Sequence, residues 1–240
     1  MALPQFTHTL DILGRTVGVV IQTHPTSKKL SLRLIAGEDA VKVVSPPHCP
    51  EREILDFVVR QKDWIADRLN QQPDKKSYQA GDIIPILGRE HKIIRIDPIN
   101  NNTRTKGSAW LKSEQLFIKS HPEHLPRRVK DFLKKEVRYE INLRAQEKAT
   151  SIDKKITAIR LKDTTSRWGS CSTQGNLNFS WRLIFAPEEV LDYVVAHEVA
   201  HLEHMNHSAA FWTLVDQLTH ARIWSQKWLK SNGSILLSYS

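Results

Sequence analysis

Cysteine is scarce in this chain: its 240 residues include two, Cys49 and Cys171. Two such thiols make no disulfide framework, and no C-x-x-C pair is present to hold a metal. Both are expected to be reduced thiols, which suits a cytoplasmic protein. Long apolar runs are missing too. None approaches the roughly 18 residues that a membrane-spanning helix needs. The first residues lack a basic segment followed by an apolar stretch, so no signal peptide is expected. No recognisable nucleic-acid-binding motif occurs. The net charge of +9 is not gathered into a tail: residues 1–110 hold 16 basic and 12 acidic residues, and 111–240 hold 19 and 14. The densest stretch, 127–155, carries ten basic and five acidic residues on what reads as a helix. It is read as a solvated helix face, with contact to a polyanion or nucleotide as the alternative.

What is present is an ordinary globular composition, 40% hydrophobic and 25% charged, long enough for one large or two modest domains. The first hundred residues are strand-like, with alternation and β-branched enrichment over 16–22, 30–35 and 40–45. Gly37 and its neighbours predict a hairpin between the last two. Pro50 suits the first turn of a helix predicted over about 51–70. Ile54, Phe57, Val58, Trp64, Ile65 and Leu69 form its apolar stripe. Residues 71–80 read as a polar connection, 83–87 and 91–96 as further strands, and 100–108 as a linker. The pattern of 41–57 (strand, Pro break, helix) echoes that of 116–132, and one gap is needed to align them. Chance or shared turn chemistry is the preferred explanation over duplication. A second helix is expected over about 126–148, with Val129, Phe132, Leu133, Val137 and Ile141 inward. A short strand around 156–161 and a hairpin with its turn at Gln174 and Gly175 follow. Pro187 then opens a helix whose first turn carries Glu188 and Glu189. The expected fold class is α+β: a strand-rich region over 1–110, then a domain over 111–240 whose hairpin packs on that helix.

That helix carries the chemistry. His197, Glu198, Val199, Ala200 and His201 form an H-E-x-x-H sequence. Positions four apart share one helix face, so two imidazoles can meet one ion, with Glu198 beside them as general base. With His and Glu each near 5% of residues, chance would place the pattern about 0.03 times in such a chain. Catalytic zinc takes three protein ligands and keeps one position open. His207, six positions after His201, is the preferred third ligand, although His204 stands where H-E-x-x-H-x-x-G-x-x-H enzymes have glycine. Asn206 tolerates a left-handed turn and Ser208 looks like the N-cap of a following helix. His204 on a continued helix would lie too far along the axis to converge with the others, and Asp216 is a weaker rival. Cys171 reads as a packing thiol. Arg167, Tyr193 and His204 are open candidates for stabilising an oxyanion.

Residues 167–172, Asn178, Leu183, the 192–202 helix, and Asn206 to Trp212 together resemble the YgjP-like predicted metal-dependent hydrolases. That group is related to the WLM and SprT-type zinc metallopeptidases. The resemblance implies a zincin-like fold, one zinc ion held by His197, His201 and His207, and Glu198 as catalytic residue. The expected function is a zinc-dependent metallopeptidase acting on a peptide or protein, with strand 176–184 as a possible edge for an extended substrate. Two alternatives stand beside it. One is hydrolysis of nucleotides or other phosphoanhydrides, and the other is nucleic-acid binding with a vestigial metal site.

Overall fold

A computed structural model describes residues 7–35, 38–70, 77–98, 107–164 and 166–239. The chain divides into two compact units, Met1–Lys75 and Lys76–Ser240. Parts of the expected connection 71–80 and linker 100–108, and Gly37 of the expected hairpin, lie outside the described residues.

The first unit is a four-stranded sheet with two helices. Its strands are β1 (His8–Ile12), β2 (Arg15–Thr23), β3 (Ser31–Leu34) and β4 (Ala40–Ser45), in the order β1-β2-β4-β3. β2 and β4 are parallel at the centre, and β1 and β3 are antiparallel on the edges. Their buried valines and Ile12 meet α1 (Glu51–Arg60) and α2 (Lys62–Asn70) through Ile54, Val58, Ile65 and Leu69. The single helix expected over 51–70 is broken at Gln61, which leaves helical geometry at φ −96°, ψ 13°. Ile54, Val58, Ile65 and Leu69 nevertheless keep one buried stripe at helical spacing across the break. Trp64, expected in that stripe, is 40% exposed, with the Arg68 guanidinium over its ring.

The second unit begins with another four-stranded sheet: β5 (Ile83–Ile86), β6 (Arg89–Ile96), β7 (Ala109–Lys112) and β8 (Gln115–Lys119). Its order, β5-β6-β8-β7, reproduces the first sheet strand for strand, again with a parallel centre and antiparallel edges. The first hairpins match residue by residue. Leu13-Gly14 (φ 54° and 81°) joins β1 to β2, and Leu87-Gly88 (φ 50° and 81°) joins β5 to β6. Each pair is flanked by isoleucine and arginine, in the two-residue turn whose twist suits a hairpin. The echo noted in the sequence thus lies within two copies of one strand arrangement.

The second sheet belongs with the H-E-x-x-H helix, so the boundary expected at 110/111 falls instead at 75/76. Leu87 N–H donates to the Ile184 carbonyl at 2.8 Å, and Ile84, Ile86, Ile93, Leu116 and Ile118 enter one core with the later helices. α3 (Leu125–Ser151) crosses this core, burying Val129, Leu133, Val137 and Ile141. β9 (Ala158–Lys162), β10 (Gly169–Cys171) and β11 (Asn176–Ser180) form a third sheet in the order β10-β11-β9. The expected hairpin is β10 with β11, but strand structure stops at Ser180, and Trp181–Phe185 is a buried 3-10 turn. Then come α4 (Glu188–Ala200), α5 (Ala209–Leu218) and α6 (Arg222–Leu236). The fold is α+β. Among the described residues no helix is long and apolar enough to cross a membrane.

Arg182 is nearly enclosed at 6% exposure, donating to the Tyr239 carbonyl at 2.8 Å and to the Asp163 carboxylate. Burial pushes the Asp163 carboxyl up, but the Arg182 hydrogen bond and charge outweigh it and hold the group below its usual range. A depressed folded-state pKa stabilises the fold above the ordinary aspartate range, and the contribution is lost as pH falls through the folded value. Asp163→Asn is expected to cost about 1–3 kcal/mol, the half-exposed carboxylate tempering the penalty of an unpaired buried guanidinium. Urea denaturation at pH 7 and pH 3 checks this: the wild-type advantage should shrink at the lower pH.

Candidate metal centre

α4 is hydrophobic almost all round, burying Val190, Leu191, Val194, Val195, Ala196, Val199 and Ala200. Such a helix is a rigid rod inside the core, and it holds His197 and Glu198 without freedom to drift. His201 is its C-cap, after which the chain turns. His204 is therefore off the helix. Its backbone carbonyl accepts a hydrogen bond from His201 Nδ1 at 2.9 Å, and this directs the other ring nitrogen of His201 outward with its lone pair. Asn206 Oδ1 accepts from Ser208 N–H, and Ser208 Oγ accepts from Phe211 N–H at the start of α5. The expected cap is thus Ser208. Asn206 does not take the left-handed conformation it tolerates, and its side chain makes the turn instead.

This corner brings His207 back over α4. His197, His201 and His207 place their ligand atoms within 4.8 Å of one another, and His204 is outside the group. The Nε2 atoms of His197 and His207 are 3.1 Å apart. An ion holding nitrogens at 2.0–2.1 Å in tetrahedral geometry spaces them by roughly 3.4 Å. Burial first, then the charges of His201 and His207, push the His197 imidazole down to about 4. Burial likewise lowers His201, against the opposing His204 backbone bond. Rings kept neutral near pH 7 offer the lone pairs that a metal needs. The donor set fits a divalent ion.

Phe211 is the platform of this site. Fully buried, it has ring centroids 5.0, 4.5 and 4.8 Å from His197, His201 and His207. Trp212 stacks on His207 at 5.6 Å, under the Arg222 guanidinium. Asp216, the weaker rival ligand, is paired instead with Arg222 on the surface. Cys171 donates to the Ser172 carbonyl, and burial followed by the Glu198 charge pushes its thiol up to about 11.

Glu198 is 5% exposed, and burial pushes its carboxyl up to about 8, with the Arg167 guanidinium opposing. It lies against β10. A Cβ added to Gly169 would meet Glu198 Oε1 at 2.4 Å, so the glycine makes room for the carboxylate. No periodicity signals such a contact. A cavity of about 230 Å³ opens beside Glu198 and His197, walled by Trp168, Tyr193, Val194 and Leu229 with Arg167. Tyr193 and Arg167, two of the oxyanion candidates, line it, while His204 does not. The strand expected as a substrate edge, 176–184, is internal, because β11 is paired on both sides. β10 is the edge.

With this arrangement established, the family model of the YgjP-like metallopeptidase domain matches residues 28–232. The chain belongs to that family. No curated protein and no solved structure matches it. As a YgjP-like protein it is, in general terms, a metal-dependent hydrolase of metallopeptidase type, and its histidine cluster could hold the metal.

Phe211→Ala is expected to cost about 3–5 kcal/mol through the cavity it leaves under three imidazoles, whereas Phe211→Leu should cost under about 1.5 kcal/mol. Equilibrium unfolding of the two variants checks the difference.

Proposed function

We propose that this YgjP-like protein is a zinc-dependent peptidase in which His197, His201 and His207 hold the ion and Glu198 is the general base. The observation that supports it most is the convergence of three imidazoles, two of them lowered in pKa by burial, beside a buried carboxyl and a sheet edge that is unpaired among the described residues. Zinc in that position would supply Lewis acidity, lowering the pKa of water from about 15.7 to near 7 and polarising a carbonyl. The remaining work falls to the chain's own side chains. Glu198, next to His197 on α4, takes a proton from the attacking water and hands it to the leaving amine. Arg167 and Tyr193 face the same cavity and offer donors to charge developing on the carbonyl oxygen. Gln226 Nε2 donates to the Tyr193 hydroxyl at 3.1 Å, which leaves that hydroxyl's proton free to point elsewhere. The outer edge of β10 offers unpaired main-chain groups to which an extended peptide can add as a strand. Cytoplasmic residence, expected from the two free thiols, belongs to the same reading.

Nucleotide or phosphoanhydride substrates held by the basic stretch at 127–155 draw less support. Arg144 is paired with Glu140 and Glu188, Lys148 with Asp192, and Lys154 with Glu203. Lys134 lies over the buried Trp181 ring. These cations are engaged by the fold itself.

Metal analysis of the purified protein should give one zinc per chain, with retention falling far more in His207→Ala than in His204→Ala. The reverse order would overturn the ligand set. Glu198→Gln should keep its ion yet cut peptide turnover by about 10²–10⁴-fold. Gly169→Ala should also keep the ion and lose about 10²-fold, because the carboxyl is pushed out of place. A zinc-loaded protein that cleaves nucleotides but no member of a peptide library would overturn the proposal.

A further inference from the structure

The edge strand β10 has two faces, and the second carries a site of its own. Gly169 turns its Cα toward Glu198. Successive residues of a strand face opposite ways, so Ser170 faces the other side of the sheet. Register puts Ser170, Asn178 and Arg160 in one row there, with Lys162 two residues beyond Arg160 on the same face. Asn178 Nδ2 donates to Ser170 Oγ at 3.3 Å, which orients both groups. A cavity of about 360 Å³ opens beside Ser170 and Asn178, lined also by Lys162, Thr164 and Arg167, with Gly169 and Phe179 at its margin. No acidic side chain lines it. The acid nearest in sequence, Asp163, is committed to Arg182. Among the described residues neither Lys162 nor Arg167 forms an ion pair, although the Arg167 charge is felt by Glu198. Arg167 lines both this cavity and the one beside Glu198.

We propose that this cavity is a carboxylate subsite, in which Lys162 and Arg167 hold an acidic group of the peptide lying along β10. The proposal rests on the peptidase reading and names its substrate class. A peptide added to β10 sends alternate side chains to opposite faces. One residue enters the mainly apolar cavity of Trp168, Tyr193, Val194 and Leu229. Its neighbour on the strand is turned toward Lys162 and Arg167. The preferred substrate therefore pairs an apolar residue with an adjacent acidic one, the acid being a side chain or the free C-terminus. Two cations facing one carboxylate, with a hydroxyl and an amide beside them, give selectivity that a single surface lysine does not.

Zinc-loaded Glu198→Gln supplies a form that binds without turning over. Fluorescence anisotropy should compare peptides with an acidic residue beside an apolar one, their Asn or Gln counterparts, and versions with a free or amidated C-terminus. The acidic peptides are expected to bind about tenfold tighter, and added salt should erode the advantage. The free and amidated sets tell a side chain from a chain terminus. Adding Lys162→Gln should remove most of the preference, and Lys162→Glu should invert it, with circular dichroism as the check on folding. Equal affinity for acidic and neutral peptides, or a preference untouched by either Lys162 change, would overturn the subsite. So would an oligonucleotide that binds more tightly than any acidic peptide and loses that binding in Lys162→Glu. Cleavage by the wild type is scored separately. Acidic peptides that bind but are not cleaved count against the peptidase and leave the subsite standing, whereas cleavage with no acidic preference does the opposite.

Discussion

Helix α4 is packed on by β10, α3, α5 and α6, and burial on that scale makes each polar side chain it carries expensive unless something offsets it. The helix carries two imidazoles and a carboxyl at its C-terminal end. Burial depresses the imidazoles, which stay neutral, and raises the carboxyl. The surrounding structure is shaped to that cost. Gly169 gives up a side chain to admit Glu198, the His204 carbonyl orients His201, and Phe211 fills the space beneath all three rings. A metal chelated there would use the same neutral lone pairs that desolvation enforces. Rigidity and reactivity thus have one origin, the enclosure of this helix.

The repeated sheet-and-helix unit places the rest. In both copies a parallel central pair is bracketed by antiparallel edge strands, and both begin with an Ile-Leu-Gly-Arg hairpin. The first copy closes its own small core with α1 and α2. The second gives its apolar face to α3 and the buried 181–185 turn, and so becomes part of the wall that supports α4. One supersecondary solution serves a self-contained unit in one place and a scaffold for chemistry in the other. Its four-residue hairpin signature was present in the sequence twice. Inward side chains free to vary in size obscured the rest.

Much of the site was legible because it is local. The four-residue spacing of His197 and His201, the adjacent Glu198, and Ser208 as a cap are statements about helix geometry, and the structure realises each of them. The preference for His207 over His204 also followed from local reasoning, since only a turn could bring a third imidazole back. Other expectations failed for a physical reason. Strand 176–184 was offered as an edge because its own sequence reads as a strand, but pairing with β9 is non-local, and it made β11 internal. Trp64 lies at the margin of its helix's buried stripe and is exposed, and the boundary moved because core packing, not composition, decides which sheet joins which helix.

What the amino-acid order determined alone is the set of periodic and adjacent features: an α+β chain, an apolar helix bearing H-E-x-x-H, and a hairpin before it. Those depend on backbone geometry over a few residues, which short sequence windows contain. Only the tertiary structure decided that Gly169 must lack a side chain, that Phe211 lies under the histidines, and that β10 is the edge. It also decided that Lys162, Arg167, Ser170 and Asn178 share one cavity. These are contacts between separate secondary-structure elements. They depend on which faces pack and which strands pair, and no spacing within one segment encodes that.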